Sequence, residues 1–158
     1  MEFFLIKRTE GHTKEFLNWC YEGIYSFYDN NIQKEKIENI ISLTGSDMAF
    51  TVVNEKGELV GNCEFYDVSD EDEETILAVG VQMKPSLTGN GYGEEFCRAI
   101  INGGREKLNY KYLELAVADF NKRAKRVYEK IGFKEIREEY FVIRGDKYRF
   151  IIMGKTFN

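Results

Sequence analysis

Two short stretches of the chain hold residue types that could do chemistry. The first is the glycine loop Leu87-Thr88-Gly89-Asn90-Gly91-Tyr92-Gly93, set between an apolar run and a helical pattern. N–H groups in the first turn of a helix have no helical acceptor, and the helix dipole adds partial positive charge there. Glycines, lacking side chains, let a ligand approach the main chain. The loop therefore suits a diphosphate. It matches neither common nucleotide motif: a dinucleotide fingerprint begun at Gly89 or Gly91 would need its third glycine at Glu94 or Phe96, and no Gly-Lys-Ser/Thr follows. The second stretch runs from Asn121-Lys122-Arg123-Ala124 through Tyr128 to Gly132-Phe133. Read by themselves, Asn121 is a helix-start residue and Tyr128 a core aromatic at helical spacing.

The elements that must position these stretches follow from hydrophobic periodicity. Glu2 to Lys7 reads as a strand, and Thr13 to Tyr28 as a helix with Phe16, Trp19, Cys20, Ile24, Phe27 and Tyr28 inward. A second helix is capped by Asn31, carries Ile37, Ile40 and Ile41, and stops at Gly45. Met48 to Val53 and Leu59 to Tyr66 form a hairpin around Gly57, followed by a strand from Thr75 to Met83. The helix after the glycine loop runs from Gly91 to about Asn102, with Phe96, Cys97, Ile100 and Ile101 inward. It should end at Gly103-Gly104, because each helical glycine costs about 1 kcal/mol. Tyr112 to Ala118 is a strand. The Asn121 helix then turns Phe120, Ala124, Val127, Tyr128 and Ile131 inward, with Lys122, Arg123, Lys125, Arg126 and Lys130 outward. Lys134 to Ile143 and Lys147 to Met153 pair around Arg144-Gly145-Asp146. The result is an α/β chain with a mixed sheet and helices on both faces.

In that order of elements, the loop resembles the acyl-CoA loop of the GNAT N-acetyltransferases, Gln/Arg-x-x-Gly-x-Gly/Ala, with Gly91 and Gly93 matching and Thr88 replacing the usual Gln or Arg. Val79-Gly80-Val81-Gln82-Met83-Lys84-Pro85 is similar to the family's fourth strand, and the segment from Asn121 to Phe133 to its later conserved motif. The resemblance spans nearly the whole chain. It implies a mostly antiparallel mixed sheet splayed between strands four and five, with the pantetheine arm of acetyl-CoA lying in the gap. Open strand edges offer N–H and C=O groups that pantetheine amides can satisfy. By the resemblance, the Met83 main chain pairs with pantetheine and the Val81 N–H faces the thioester carbonyl as oxyanion donor. Gly89, Asn90, Gly91, Tyr92 and Gly93 hold the diphosphate beside the Thr88 hydroxyl. Asn121 reaches the cofactor arm, with part of the basic run assisting, and the Tyr128 hydroxyl protonates the leaving thiolate. A phenol of pKa about 10 suits a thiol of about 8.5 to 9.

The implied reaction is direct attack of a neutral primary amine on the thioester in a ternary complex. The glutamate that several relatives carry on strand four is replaced by Leu77, so Glu64 on strand three becomes the candidate base, with Glu74 second. Tyr21, Tyr25, Tyr28, Asp29 and Glu64 are candidates for the acceptor wall, and each tyrosine can equally be core. The acidic segment from Asp67 through Asp70-Glu71-Asp72-Glu73-Glu74 reads first as a solvated loop, with attraction of a basic acceptor such as a polyamine as the alternative. A small-molecule amine is the expected acceptor. A protein N-terminus or lysine stays open, as does a CoA-binding module without turnover.

Composition bounds these expectations. The 158 residues, 43% hydrophobic, suit one compact domain over 1-158, and the single proline and absence of repeats offer no linker. A net charge of −5 argues against nucleic acid as a partner. Phe3 to Ile6 is too short for a signal segment and no later run approaches a membrane span, so the expected location is cytoplasmic, without membrane association. Cys20, Cys63 and Cys97 with one histidine, His12, make no metal set and are expected as buried small apolar groups. Oligomeric state is open, with a homodimer among the options.

Overall fold

The computed structural model describes residues 1–158. Its elements are β1 (Phe4–Lys7), α1 (Glu10–Phe16), a 3-10 strap (Gly23–Tyr28), α2 (Lys34–Ser42), β2 (Ala49–Val53), β3 (Leu59–Asp67), β4 (Leu77–Met83), α3 (Gly93–Leu108), β5 (Tyr112–Ala118), α4 (Lys122–Lys130), β6 (Lys134–Ile143) and β7 (Asp146–Thr156). The strands make one sheet in the order β1-β2-β3-β4-β5-β7-β6. Every neighbouring pair is antiparallel except β4 and β5, which are parallel and meet only at Leu77–Leu113 and Ala78–Glu114. Beyond Ala78 the two strands diverge. No helix is long and apolar enough to cross a membrane.

Which main-chain groups face that divergence follows from antiparallel alternation. Val68 N–H donates to Ile76 O at 2.8 Å and Lys84 N–H to Val60 O at 2.8 Å, so even-numbered β4 residues bond β3. Val79, Val81 and Met83 therefore turn their N–H and C=O groups toward β5. On β5, Asp119 N–H to Arg149 O at 3.0 Å and Phe157 N–H to Lys111 O at 2.7 Å assign odd residues to β7. Ala116 and Ala118 then face β4.

The main core joins the inner sheet face to α3 and α4 through Val79, Phe65, Phe96, Ile100, Leu115, Val117 and Tyr128. A smaller cluster of Phe16, Trp19, Ile40 and Leu59 holds α1 and α2.

Several boundaries differ from the sequence reading. The long helix expected from Thr13 to Tyr28 is two pieces. Thr9 caps α1, accepting from the His12 N–H at 3.2 Å, while left-handed Gly23 (φ +59°) opens the strap. Phe16 and Trp19 are buried as expected, but Cys20 is exposed and Ile24 is 59% exposed, so Cys20 is no core thiol. Cys63 and Cys97 are buried. Helix α2 starts after Gln33 rather than Asn31. It is the neighbouring Asn30 that is buried, donating to Phe16 O at 2.7 Å and to Gln82 Oε1 at 2.8 Å.

Helix α3 also continues through Gly103 and Gly104 to Leu108. Packing outweighs the glycine cost there. A Cβ on Gly104 would collide with the Phe65 ring, and one on Gly103 would lie 3.3 Å from Leu5 Cδ2, so the missing side chains let β1 and β3 approach the helix backbone. Alanine gains about 1 kcal/mol of helix propensity, while overpacking a core costs about 1–3 kcal/mol. Gly104→Ala is thus expected to lower unfolding free energy, measured by urea titration; a more stable variant would show that Phe65 repacks freely.

Candidate active site

The β4–β5 divergence opens into a cleft of about 580 Å³. Its floor includes Val79, Gly80, Val81, Gln82 and Met83 of β4 and Ala116 and Val117 of β5. Tyr128, Asn121, Arg123 and Lys130 border it on the α4 side, and Gly89, Gly91 and Gly93 at one mouth.

At the glycine loop, Gly89 (φ +74°) and Gly91 (φ +85°) are left-handed, a backbone that side chains disfavour. Thr88 Oγ1 donates to Pro85 O at 2.7 Å. Asn90 Nδ2 donates to Ser86 O at 3.2 Å and Thr88 O at 3.1 Å. These side chains hold the loop's carbonyls, so the Thr88 hydroxyl is engaged within the loop. Asn90 and Tyr92 are loop residues whose side chains lie outside the cleft lining. No N–H from Gly89 to Gly93 donates to another main-chain carbonyl. They lead into the open first turn of α3 and make an anion cradle with it. Arg123 adds charge beside it: its Nη1 would lie 3.2 Å from a Cβ on Gly89, and its guanidinium stacks on Tyr25, 4.7 Å from the ring centre. Residues and geometry fit a CoA diphosphate.

Deeper in, Asn121 serves two partners with different atoms. Its Oδ1 accepts from the Ala124 N–H at 3.2 Å as a helix cap, and its Nδ2 donates to the Tyr28 hydroxyl at 3.2 Å. Tyr28 thereby spans from the strap to the β5 side of the gap. Burial raises its pKa, opposed by the donors Asn121 and the Ala118 main chain. Tyr21 donates its hydroxyl to Met83 O at 2.5 Å, so that carbonyl is already occupied while the Met83 N–H still faces the gap. Tyr128 is 8% exposed and lines the cleft. Burial holds its pKa well above the ordinary 10.0.

On the opposite face of β3 and β4 lies a polar patch. Gln82 Oε1 accepts from Asn62 at 3.0 Å as well as from Asn30, and Gln82 Nε2 donates to Tyr28 O at 3.1 Å. Glu64 stands on this face, its side chain 24% exposed, with Oε1 3.0 Å from Arg8 Nη1. Arg8 is fully buried. Its Nη2 donates to Cys63 O at 3.3 Å, its guanidinium carbon lies 4.8 Å from the Phe16 ring centre, and its Nε is buried without a partner. Lys36 donates to Tyr28 O and Asp29 O, both at 3.2 Å.

Of the expected acceptor wall, Tyr21, Tyr25, Tyr28 and Glu64 line the cleft. Asp29 does not. Its Oδ1 accepts from the Tyr21 N–H at 2.8 Å, fixing the chain before the strap. Glu74 and the rest of Asp70 to Glu74 are exposed and outside the cleft, as a solvated loop would be. Sequence reasoning missed Arg8, Lys36, Asn30, Asn62 and Gln82. The one available signal was Gln82, a polar residue inside an apolar strand.

A family model described as an acetyltransferase (GNAT) domain matches residues 4–134. The chain belongs to the GNAT acetyltransferase family. This GNAT protein is 30% identical over 111 residues to a Bacillus subtilis (strain 168) protein provisionally named a ribosomal protein bS18-alanine N-acetyltransferase, covering 69% of each chain. Among solved structures, it superposes on a spermidine N-acetyltransferase SpeG chimera from Vibrio cholerae and hSSAT with TM-score 0.77 and 20% identity, over 99% of this chain and 96% of that one. It likewise superposes on yncA of Salmonella typhimurium, an assigned acetyltransferase solved with acetyl-CoA, with TM-score 0.71 and 13% identity, over 100% and 95% of the chains. The GNAT chain is an acetyl-CoA-dependent acetyltransferase.

Placing a β-branched side chain at left-handed Gly91 costs about 1–3 kcal/mol of strain or reshapes the cradle. Gly91→Val is expected to weaken acetyl-CoA binding at least about tenfold by calorimetric titration. An unchanged Kd would remove the diphosphate from this loop.

Proposed function

We propose that the enzyme transfers acetyl from acetyl-CoA to the primary amine of a small molecule by direct attack in the cleft. The observation that carries this reading is the divergence of β4 from β5, with the main-chain groups of Val81 and Met83 turned into it beside Tyr128. Acetyl-CoA supplies the acyl group as a thioester; a C–N bond forms as the C–S bond breaks. The chain's residues do the rest. The Val81 N–H donates to the carbonyl oxygen as negative charge gathers there. Glu64 accepts the amine proton through the carboxylate oxygen that Arg8 does not hold, directly or through water. Gly89 to Gly93, Arg123 and Asn121 bind and orient the donor.

Tyr128 protonates the departing sulfur. A phenol whose pKa is raised by burial would be a poor acid toward an ordinary thiolate, yet the cleft changes the thiolate too. Cys97, which lines the same cleft, is pushed up to about 12 by burial. A CoA thiolate released there meets similar desolvation, which brings donor and acceptor toward balance.

A protein N-terminus is the second reading, favoured by the Bacillus subtilis relative named for an N-terminal alanine acceptor. A peptide beginning with alanine, assayed beside small amines, separates the two.

Tyr128→Phe is expected to lower kcat by about 100-fold with acetyl-CoA affinity unchanged; equal rates would exclude Tyr128 as the acid. In the wild type, the rate should climb with pH as the acceptor amine loses its proton. No falling limb from Tyr128 should appear below pH 10.0, because a raised pKa keeps the hydroxyl protonated there. A fall between pH 8 and 9 that disappears in Tyr128→Phe would contradict that protonation state.

A further inference from the structure

The acceptor end of the cleft holds a cation, Lys36, whose hydrogen-bond partners are carbonyls and not a carboxylate. Glu64 is the carboxylate that lines the polar face of β3 and β4, and it is already paired with the buried Arg8. Asp29, nearby, spends an oxygen on the Tyr21 N–H. Against these two stand Arg8, which Glu64 pairs, and Lys36. Lys36 lines the cleft itself. Arg144, at the left-handed β6–β7 turn (φ 52°), makes no ion pair and borders a smaller cavity with Phe27, Phe120 and Tyr148, on the far side of the Tyr28–Phe120 wall.

Lys36 has an adequate structural role: it ties the end of the strap to α2 through Tyr28 O and Asp29 O. Two bonds do not exhaust it. An ammonium has three donors, and the two carbonyls leave the third without a partner. Burial lowers its pKa, Glu64 and Asp29 raise it from a distance, and Arg144 lowers it again, so the group is partly desolvated. A second ammonium on the acceptor would be repelled. A carboxylate or phosphonate would take the third donor in a charge-assisted bond.

Resting on the acetyl-transfer reading above, we infer that the acceptor is a small amine carrying an anionic group close to its amino group, an amino acid or an aminophosphonate, and that Lys36 selects it. The amine lies on the Glu64 side and the acid on the Lys36 side. Lys36 is a specificity-determining residue in this scheme and transfers no proton.

The test compares each common amino acid that has a primary α-amine with its own carboxamide, with aminomethylphosphonate and spermidine added, by kcat/KM for CoA release. Amidation makes the amine less basic and so favours attack at neutral pH; a preference for the acid therefore reports recognition. At least one acid is expected to exceed its amide by tenfold or more, with spermidine below both. Lys36→Arg should retain that ratio, Lys36→Met should bring it to near unity, and Lys36→Glu should invert it. Because the ratio is taken within one variant, loss of overall activity from a loosened strap does not alter it.

Preference for amides, spermidine or an alanine-initiated peptide would overturn the inference. So would a ratio unmoved by Lys36→Met, or acetyl-CoA binding without acetylation of any acid in the panel. Failure to bind acetyl-CoA in a calorimetric control would instead overturn the acetyl-transfer reading beneath it.

Discussion

The site depends on a single break in the sheet. After Leu77–Leu113 and Ala78–Glu114, β4 and β5 stop pairing, and a stretch of main chain in the middle of the sheet is left with donors and acceptors facing a gap. Buried backbone polar groups are costly when unpaired, so such a gap is stable only where water, a ligand or a side chain supplies partners. Tyr21 on Met83 O and Tyr28 beside Asn121 and Ala118 fill part of this need at the edges. The central portion, at Val81, remains available. A ligand with amides along its length would complete the sheet there.

That break also sorts the chemistry into two faces. Side chains of Val79, Val81 and Met83 pack toward the main core, where Cys97 and Tyr128 experience strong desolvation. The Gln82 side chain and the bare Gly80 position, with Asn62 and Glu64 across from them on β3, face the strap and α2. One face is built to alter the proton affinity of sulfur and phenol. The other, hydrogen-bonded and charged, presents polar groups to the cleft. The strap connects them, since Tyr28 accepts from Asn121 at its hydroxyl and from Gln82 and Lys36 at its carbonyl.

What was legible in the sequence was whatever leaves a local trace. The glycine loop, the alternating strands and the stripe of α4 each follow from residue types at short spacing, and all three lie where that reading put them. The Thr13 to Tyr28 helix failed because periodicity cannot distinguish one long helix from two short pieces when Gly23 alone marks the break. The persistence of α3 through Gly103 and Gly104 was equally hidden. Its cause is close approach by Leu5 and Phe65, from distant parts of the chain. Arg8 and Lys36 were invisible for the same reason, since a cation in a polar segment reads as solvated until the fold brings Glu64 or a cleft to it.

The chain has one tryptophan, Trp19, and it lies in the smaller cluster with Phe16, Ile40 and Leu59 rather than in the main core. Phe16, its neighbour at 6.0 Å between ring centres, also covers the Arg8 guanidinium that holds Glu64. The indole is thus an intrinsic fluorophore placed on the α1 and α2 side of the sheet. Its emission therefore reports the packing of that helical cap without an attached label.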